Sequence, residues 1–428
     1  MYLNYCSIKR RGFGHCFSSA IVSNNFRRRD NMYKYANRME EVSSSAVREI
    51  FKAMADPEMI SFGGGSPANE SFPIDEIKRI TDKVLSDKGH QILQYGITEG
   101  WKPLKEAYLK HIAHPKGIKG STENVIVTTG ASQGIHLLAD AFLEPGDVVL
   151  VESPTFLGVF STFNKYFVKS VPVAMDEHGL IMEDLEAKIK EYNPKMIYTI
   201  PTFQNPTGRT LPLNRRQKVA ELASEYNVIV LEDDPYCDLR YSGDTLPSIK
   251  TFDKTGHVVL LNSFAKIISP GLRVGTVLAE EEIIQKLTVA KQGSDTHTAN
   301  LTQAICAEFL EQGLLPDHLK KINELYAGKL HTMITSIEEY FPEGTKFTKP
   351  EGGLFIWVEL PGEPDVLALF ERATTDYKVA FVPGIHFCKN SEDGIKHLRL
   401  NFSSSTPEKI EEGIKKLGEL FKNDLEER

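Results

Sequence analysis

The sequence predicts an α/β fold: a large domain with a mostly parallel, seven-stranded sheet flanked by helices, joined to a smaller α+β domain. Two patterns carry this expectation. From about residue 120 to 279, short apolar runs alternate with amphipathic helical stretches, which implies a parallel sheet covered on both faces. After Ala279 the pattern changes to long helices and then to short strands, in a chain of 428 residues that exceeds one typical domain.

The elements follow in chain order. Residues 33–60 read as an N-terminal arm with a short helix after Ser43-Ser44-Ser45, and Ile60-Ser61-Phe62 then meets the glycine cluster Gly63-Gly64-Gly65. Strands are expected at 125–127, 148–151, 168–173, 196–200, 228–232, 258–262 and 274–279. Helices are expected at 132–143, 156–165, 182–191 and 214–226, where the apolar residues recur at helical spacing. Long helices should cover 280–312, with an interruption near Gly293, and 317–340. Strands near 354–360, 379–382 and 397–402 and a helix from about 406 close the chain. The expected division is an extension at 1–31, an N-terminal arm at 32–70 that joins the small domain, a large domain at 71–310 and the small domain at 311–428.

A net charge of −8 argues against a nucleic-acid partner. No apolar run approaches the ~20 residues that span a bilayer, so no membrane role is expected, and a cytoplasmic location is. The five cysteines are scattered without CxxC spacing and no HExxH pattern occurs, so neither a disulfide frame nor a metal site is expected. Residues 1–31 differ in kind, with six basic residues against the single acid Asp30. They read as a transit-like peptide, a disordered basic arm, or translated upstream sequence with Met32 as the working start.

The chemistry concentrates at strand ends, where ligands bind in open α/β sheets. Lys266 sits between the apolar runs Val258–Leu261 and Val274–Ala279. A buried ammonium there costs several kcal/mol to desolvate unless it is paired or neutralised. It is either a strand-end lysine paired with a carboxylate or an amine made covalent as an imine to an aldehyde cofactor. The second reading needs a phosphate site nearby, and Ser263 and Arg273 are suitable donors. Gly130-Ala131-Ser132 opens a helix directly after a strand, which is an anion cradle or simply a tight turn with Ser132 as cap. Asn205, in Asn205-Pro206-Thr207-Gly208, is aimed by its turn-forming neighbours.

Glu232-Asp233-Asp234 follows a buried strand, so at least one of the three acids should have a cationic partner. Alternation puts Asp233 on the face opposite Glu232 and Asp234. An aspartate facing a pyridinium nitrogen, with Tyr236 reaching a phenolate oxygen, fits better than a metal site. Together these strand ends meet the needs of pyridoxal 5′-phosphate: a phosphate cradle, hydrogen bonds to the ring oxygen, a counter-ion for the ring nitrogen and an imine lysine.

The ordered motifs Phe62-Gly63-Gly64-Gly65-Ser66-Pro67, Gln94-Tyr95-Gly96, Thr128–Gly134, Asn205–Gly208, Glu232–Tyr236, Ser263-Phe264-Ala265-Lys266, Pro270–Arg273 and Arg399-Leu400-Asn401-Phe402 span most of the chain. Over about residues 40–425 the sequence resembles the fold-type I pyridoxal-phosphate aminotransferases, nearest the 2-aminoadipate and kynurenine/aminoadipate subgroup. The resemblance implies the aspartate aminotransferase-like fold and transfer of an amino group from an L-amino acid to a 2-oxo acid such as 2-oxoglutarate, by a ping-pong route.

It further implies that Lys266 is the imine lysine and proton shuttle, Asp233 pairs the ring nitrogen, Asn205 and Tyr236 bind the phenolic oxygen, and Phe156 stacks on the ring. Ala131, Ser132, Ser263 and Arg273 would hold the phosphate, with Tyr95 reaching across from a second subunit of a homodimer. Arg399 would fork onto the substrate α-carboxylate, helped by Asn205 and the turn near Gly65. Arg48 lies where relatives meet an acidic substrate side chain. One departure is Ala265, where the family often has a second phosphate-binding serine. The effector-binding half of a MocR-type regulator is an alternative, but no helix-turn-helix pattern precedes Gly63. A β-lyase on the same fold stays open, because the cofactor's chemistry is shared.

Overall fold

The computed structural model describes residues 33–39 and 58–427. The short helix expected after Ser45 lies outside them, as does Arg48. Fourteen strands run through the described residues. Ile60–Ser61 (β1) is followed by Val125–Thr128 (β2), Val148–Ser153 (β3), Lys169–Asp176 (β4), Gly179–Leu180 (β5), Met196–Thr199 (β6) and Ile229–Asp233 (β7). Val258–Ser263 (β8), Gly275–Leu278 (β9), Lys346–Phe347 (β10), Phe355–Glu359 (β11), Val379–Ala380 (β12), Val382–Pro383 (β13) and His397–Asn401 (β14) complete the set.

The large sheet has the order β2-β9-β8-β7-β6-β3-β4-β5. Strands β8, β7, β6, β3 and β4 are mutually parallel, while β9 runs antiparallel to both β2 and β8. The seven expected strands are all present, and the two-residue β5 adds an eighth at the edge by turning back on β4. Alternation along each strand divides the apolar residues between the two faces. Val149, Val151, Leu231, Val259 and Leu261 pack into one cluster, while Leu150, Val230 and Val258 pack into another on the far side. Burying each such side chain is worth about 1.5–3 kcal/mol, which is why these runs read as continuously apolar.

The helices bear out the expected alternation: Ala131–Phe142, Leu157–Lys165, Met182–Tyr192 and Leu213–Tyr226. The stretch 280–312 is broken as anticipated, into Glu281–Gln292 and Asn300–Glu311. Three helices were not expected: Ile74–Ile92, Lys102–Tyr108 and Val366–Thr375. The first buries only Ile80, Val84 and Ile92, so its apolar stripe is thin among charged residues.

A second sheet of order β10-β11-β14-β13 is wholly antiparallel. The early strand β1 pairs in parallel with β12 near the other end of the chain. Asn401 N donates to Phe62 O, so the glycine cluster is stitched to β14 as well. The carboxyl ends of β3, β6, β7 and β8 thereby face the glycine cluster and the antiparallel sheet. Among the described residues no helix is long and apolar enough to cross a membrane.

Candidate active site

A cavity of about 450 Å³ lies at that junction. Gly65, Ala131, Ser132, Phe156, Asn205, Asp233, Tyr236, Ser263, Lys266, Arg273 and Arg399 all line it. Residues scattered over most of the sequence therefore converge, most of them at strand ends or in the loops that follow, with Arg273 just before β9 and Arg399 within β14.

Lys266 follows β8 and donates from Nζ to the Gly65 carbonyl. No carboxylate pairs with it among the described residues, so the ion-pair alternative is overturned. Burial, then the charges of Arg399 and Arg273, push its amine down to about 8. A lysine so depressed is a usable base near neutral pH.

Asp233 closes β7 and is buried. Its Oδ2 accepts from Tyr198 Oη at 2.7 Å, while its buried Oδ1 has no partner. Burial raises this carboxyl to about 7. A buried carboxylate oxygen left without a donor is costly and fits a cationic N–H on a bound ring. Its neighbours do face the other way, as alternation required. Glu232 accepts from Ser248 Oγ and the amides of Ile249 and Lys250. The expected cationic partner for one of the three acids is not found at ion-pair distance: backbone and hydroxyl donors serve Glu232, and Lys116 and Arg216 act on Asp234 only through their field.

Arg399, on β14, donates from Nη1 to Asn205 Oδ1 at 2.9 Å and from Nη2 to Gly63 O at 2.7 Å. Its guanidinium lies 4.3 Å from the Phe355 ring centroid and 4.9 Å from that of Phe387. The Nε atom is buried without a partner, and burial lowers the group to about 10. It pairs with no carboxylate of its own sheet, which leaves the fork open for one from outside. Tyr236 is buried beside Asn205 and packs edge-on against Phe355 at 5.9 Å.

The helix Ala131–Phe142 starts without a side-chain cap; Gln133 N turns back to Gly130 O at 3.2 Å, and Ala131 and Ser132 line the cavity end with the amides of the first turn. Arg273 reaches the same place, donating from Nη2 to Thr129 O at 3.2 Å. Gly130, at φ +80°, permits this approach, because a Cβ there would overlap the guanidinium. Ser263 Oγ accepts from Ala265 N at 3.2 Å and keeps its own proton to donate. Ala265 lines the cavity without a hydroxyl, as read from the sequence. Uncapped amides, a guanidinium and a hydroxyl form a donor set that fits a phosphate.

Tyr95 does not line this cavity; it is 83% exposed, with His297 edge-on at 6.0 Å. Sequence reasoning passed over the support beneath the loop. Gln204 Nε2 donates to Glu152 Oε2 at 3.0 Å and to Pro154 O at 2.8 Å, while its Oε1 accepts from Thr207 N and Oγ1. Glu152 also takes Thr199 Oγ1 at 2.6 Å, and burial raises it to about 7. The available signal was an acid at the end of an apolar run, as Glu232 is within β7.

The family sequence model "Aminotransferase class I and II" matches residues 57–417. The chain is 40% identical over 389 residues to aromatic-amino-acid aminotransferase 1 of Thermococcus litoralis, covering 90% of this chain and 93% of that one. It is 36% identical to the 2-aminoadipate transaminase of Thermus thermophilus, over 89% of this chain and 94% of the relative. The structure of Pyrococcus horikoshii kynurenine aminotransferase, solved in complex with PMP, KYN and KYA, superposes with a TM-score of 0.87 at 39% identity, covering 91% of this chain and 97% of that one. Relatives of matching length above 30% identity and a cavity whose donors fit pyridoxal phosphate lead to one conclusion: this chain belongs to the class I and II aminotransferases and is a pyridoxal-phosphate-dependent transaminase.

Proposed function

We propose that the protein moves an amino group from L-amino acids of broad range, with neutral apolar side chains favoured, to a 2-oxo acid such as 2-oxoglutarate, by a ping-pong route. The observation that carries the donor preference is the charge inventory of the cavity. Its cationic lining residues are Lys266, Arg273 and Arg399. With Arg273 committed to phosphate and Arg399 to the α-carboxylate, no described lining cation remains for a side-chain carboxylate. Leu157, Ile200 and Val382 supply apolar wall instead. Acceptance of 2-aminoadipate or other dicarboxylates would then fall to Arg48, outside the described residues.

Pyridoxal phosphate, when bound, supplies an aldehyde that joins amines and a protonated ring that draws electrons from the substrate Cα. Ala131, Ser132, Ser263 and Arg273 would hold the phosphate. Asp233 Oδ1 would accept from the ring nitrogen and keep it protonated. Asn205 and Tyr236 would donate to the phenolic oxygen, and Phe156 would cover the ring. Arg399, with Asn205 and the turn at Gly65, orients the substrate carboxylate. Lys266 would anchor the cofactor and then, through Nζ, serve as the base that takes the Cα proton and holds it for return. Exposed Tyr95 is proposed to complete the phosphate site of a second copy, making the functional unit a homodimer with shared sites.

The test mixes purified holoenzyme with a panel of amino acids and 2-oxoglutarate while following cofactor absorbance and oxo-acid product. Turnover should be fastest with large apolar donors. Absorbance changes without oxo-acid product would overturn the transfer reading. Lys266→Ala should abolish turnover yet leave cofactor bound; full activity in that variant would sink the proposed roles.

A further inference from the structure

A second cavity, about 670 Å³, lies on the other side of the Asn205–Arg209 loop from the reaction site. Its wall carries Arg209, whose guanidinium makes no hydrogen bond or ion pair among the described residues. Among the described residues, every other arginine that is not fully exposed has a side-chain hydrogen bond: Arg215 with Asp176, Arg216 with three backbone carbonyls, Arg240 with Glu351, Arg372 with Glu427 and Arg399 with Asn205. Arg209 is itself only half-exposed, and burial pulls its pKa down. A partly desolvated, unpaired guanidinium is an unusual thing to keep, since buried charges are normally paired.

Of the acids nearby, Glu177 is largely exposed with His178 at 3.8 Å, and the others are already engaged. Asp176 is forked by Arg215 at 2.6 and 2.7 Å, Glu351 pairs with Arg240 at 2.7 Å, and Glu359 lies 3.6 Å from Lys346. Another part of the lining is aromatic. Trp357 and His397 stack with centroids 5.2 Å apart and an interplanar angle of 13°, and Phe347 and Pro350 stand beside them. A free planar donor fork and an aromatic surface lining one cavity suit a carboxylate or phosphate group on an apolar body.

We propose that this cavity is a second binding site for a small organic anion, with Arg209 as its charge partner and Trp357 and His397 as its wall. Two routes connect it to the reaction site. Gln204 N donates to Arg209 O at 2.8 Å and Arg209 N to Thr207 Oγ1 at 3.3 Å, so Arg209 closes the loop that holds Asn205. Trp357 and Arg399 are directly paired across β11 and β14, and Phe355 and His397 share that sheet face. An occupant would therefore shift the apparent KM for the amino-acid donor. The binding itself stands apart from the roles proposed for Arg399.

Trp357 is one of two tryptophans, so Trp101→Phe holoenzyme makes it the sole indole reporter. Benzoate, phenyl phosphate and inorganic phosphate are titrated separately against its fluorescence. A saturable change is expected with at least one of the two organic anions. Arg209→Gln should weaken it about tenfold or more while basal turnover persists, and Arg209→Lys should restore most of it. Arg399→Lys should leave it intact. A response to benzoate alone assigns the ligand to carboxylates, and one to phenyl phosphate alone to phosphate esters. Should Arg209→Gln fail to take up cofactor, Arg209→Met, which keeps the apolar stem, repeats the comparison. The proposal is overturned by no saturable change with either organic anion, by a change that Arg209→Gln leaves intact, or by one that Arg399→Lys abolishes.

Discussion

Arg399 and Asn205 are bonded to each other, Nη1 to Oδ1 at 2.9 Å, across 194 positions of sequence. The contact joins the loop after β6 to strand β14 and preorganises the fork before any substrate arrives. Arg399→Lys substitutes a point charge for a planar fork between two aromatic rings. It should lower kcat/KM for amino-acid donors roughly a hundredfold, about 3 kcal/mol, with most of the effect in KM. Steady-state kinetics across donors decides this, and near-native kcat/KM would contradict the assigned role.

Lys266 should titrate near 8 in the cofactor-free protein. Only the neutral amine is nucleophilic, so its acylation rate should rise about tenfold per pH unit up to that value and then level off. Removing the Arg399 charge by Arg399→Gln should move the break upward, because a cationic neighbour is lost. A break near the ordinary lysine value in the parent protein would show that neither burial nor charge acts on it.

Glu152 titrates near 7 when folded and near 4.5 when unfolded. The folded state then binds the extra proton between those values, so this group makes stability fall as pH rises through that window. Glu152→Gln removes the term. Whatever its constant offset, the slope of unfolding free energy between pH 5 and 7 should become less negative by up to about 1.4 kcal/mol per pH unit. Denaturant unfolding at three pH values measures it, and an unchanged slope would refute the assignment.

Gly130→Ala puts a Cβ into the Arg273 guanidinium at a positive φ. Backbone strain of about 1–2 kcal/mol and a displaced arginine should weaken cofactor retention, with a smaller effect on global stability. Cofactor release on dialysis against inorganic phosphate is the measurement.

The residues legible in the sequence were those next to punctuation. Lys266, Asp233, Asn205 and Arg273 each follow a β-branched run broken by Pro, Gly or a polar cluster, and all four line one cavity. Glu152 and Gln204, 52 positions apart, carry no local pattern that links them, because only the parallel pairing of β3 with β6 brings them together. The helix Ile74–Ile92 escaped notice since its buried stripe is three residues wide in a charged context. Tyr95, read as reaching across to a second subunit's phosphate site, is exposed and stands outside its own chain's cavity.

The strip from Ile60 to Gly65 supplies acceptors to two cations of the site. Gly63 O accepts from Arg399, and Gly65 O accepts from Lys266. The buried Arg399 guanidinium is thus given a neutral carbonyl oxygen to lean on. The strip is a placeholder: an arriving carboxylate competes with a neutral oxygen of modest strength rather than with a rival anion, so the seat is kept ready without being taken.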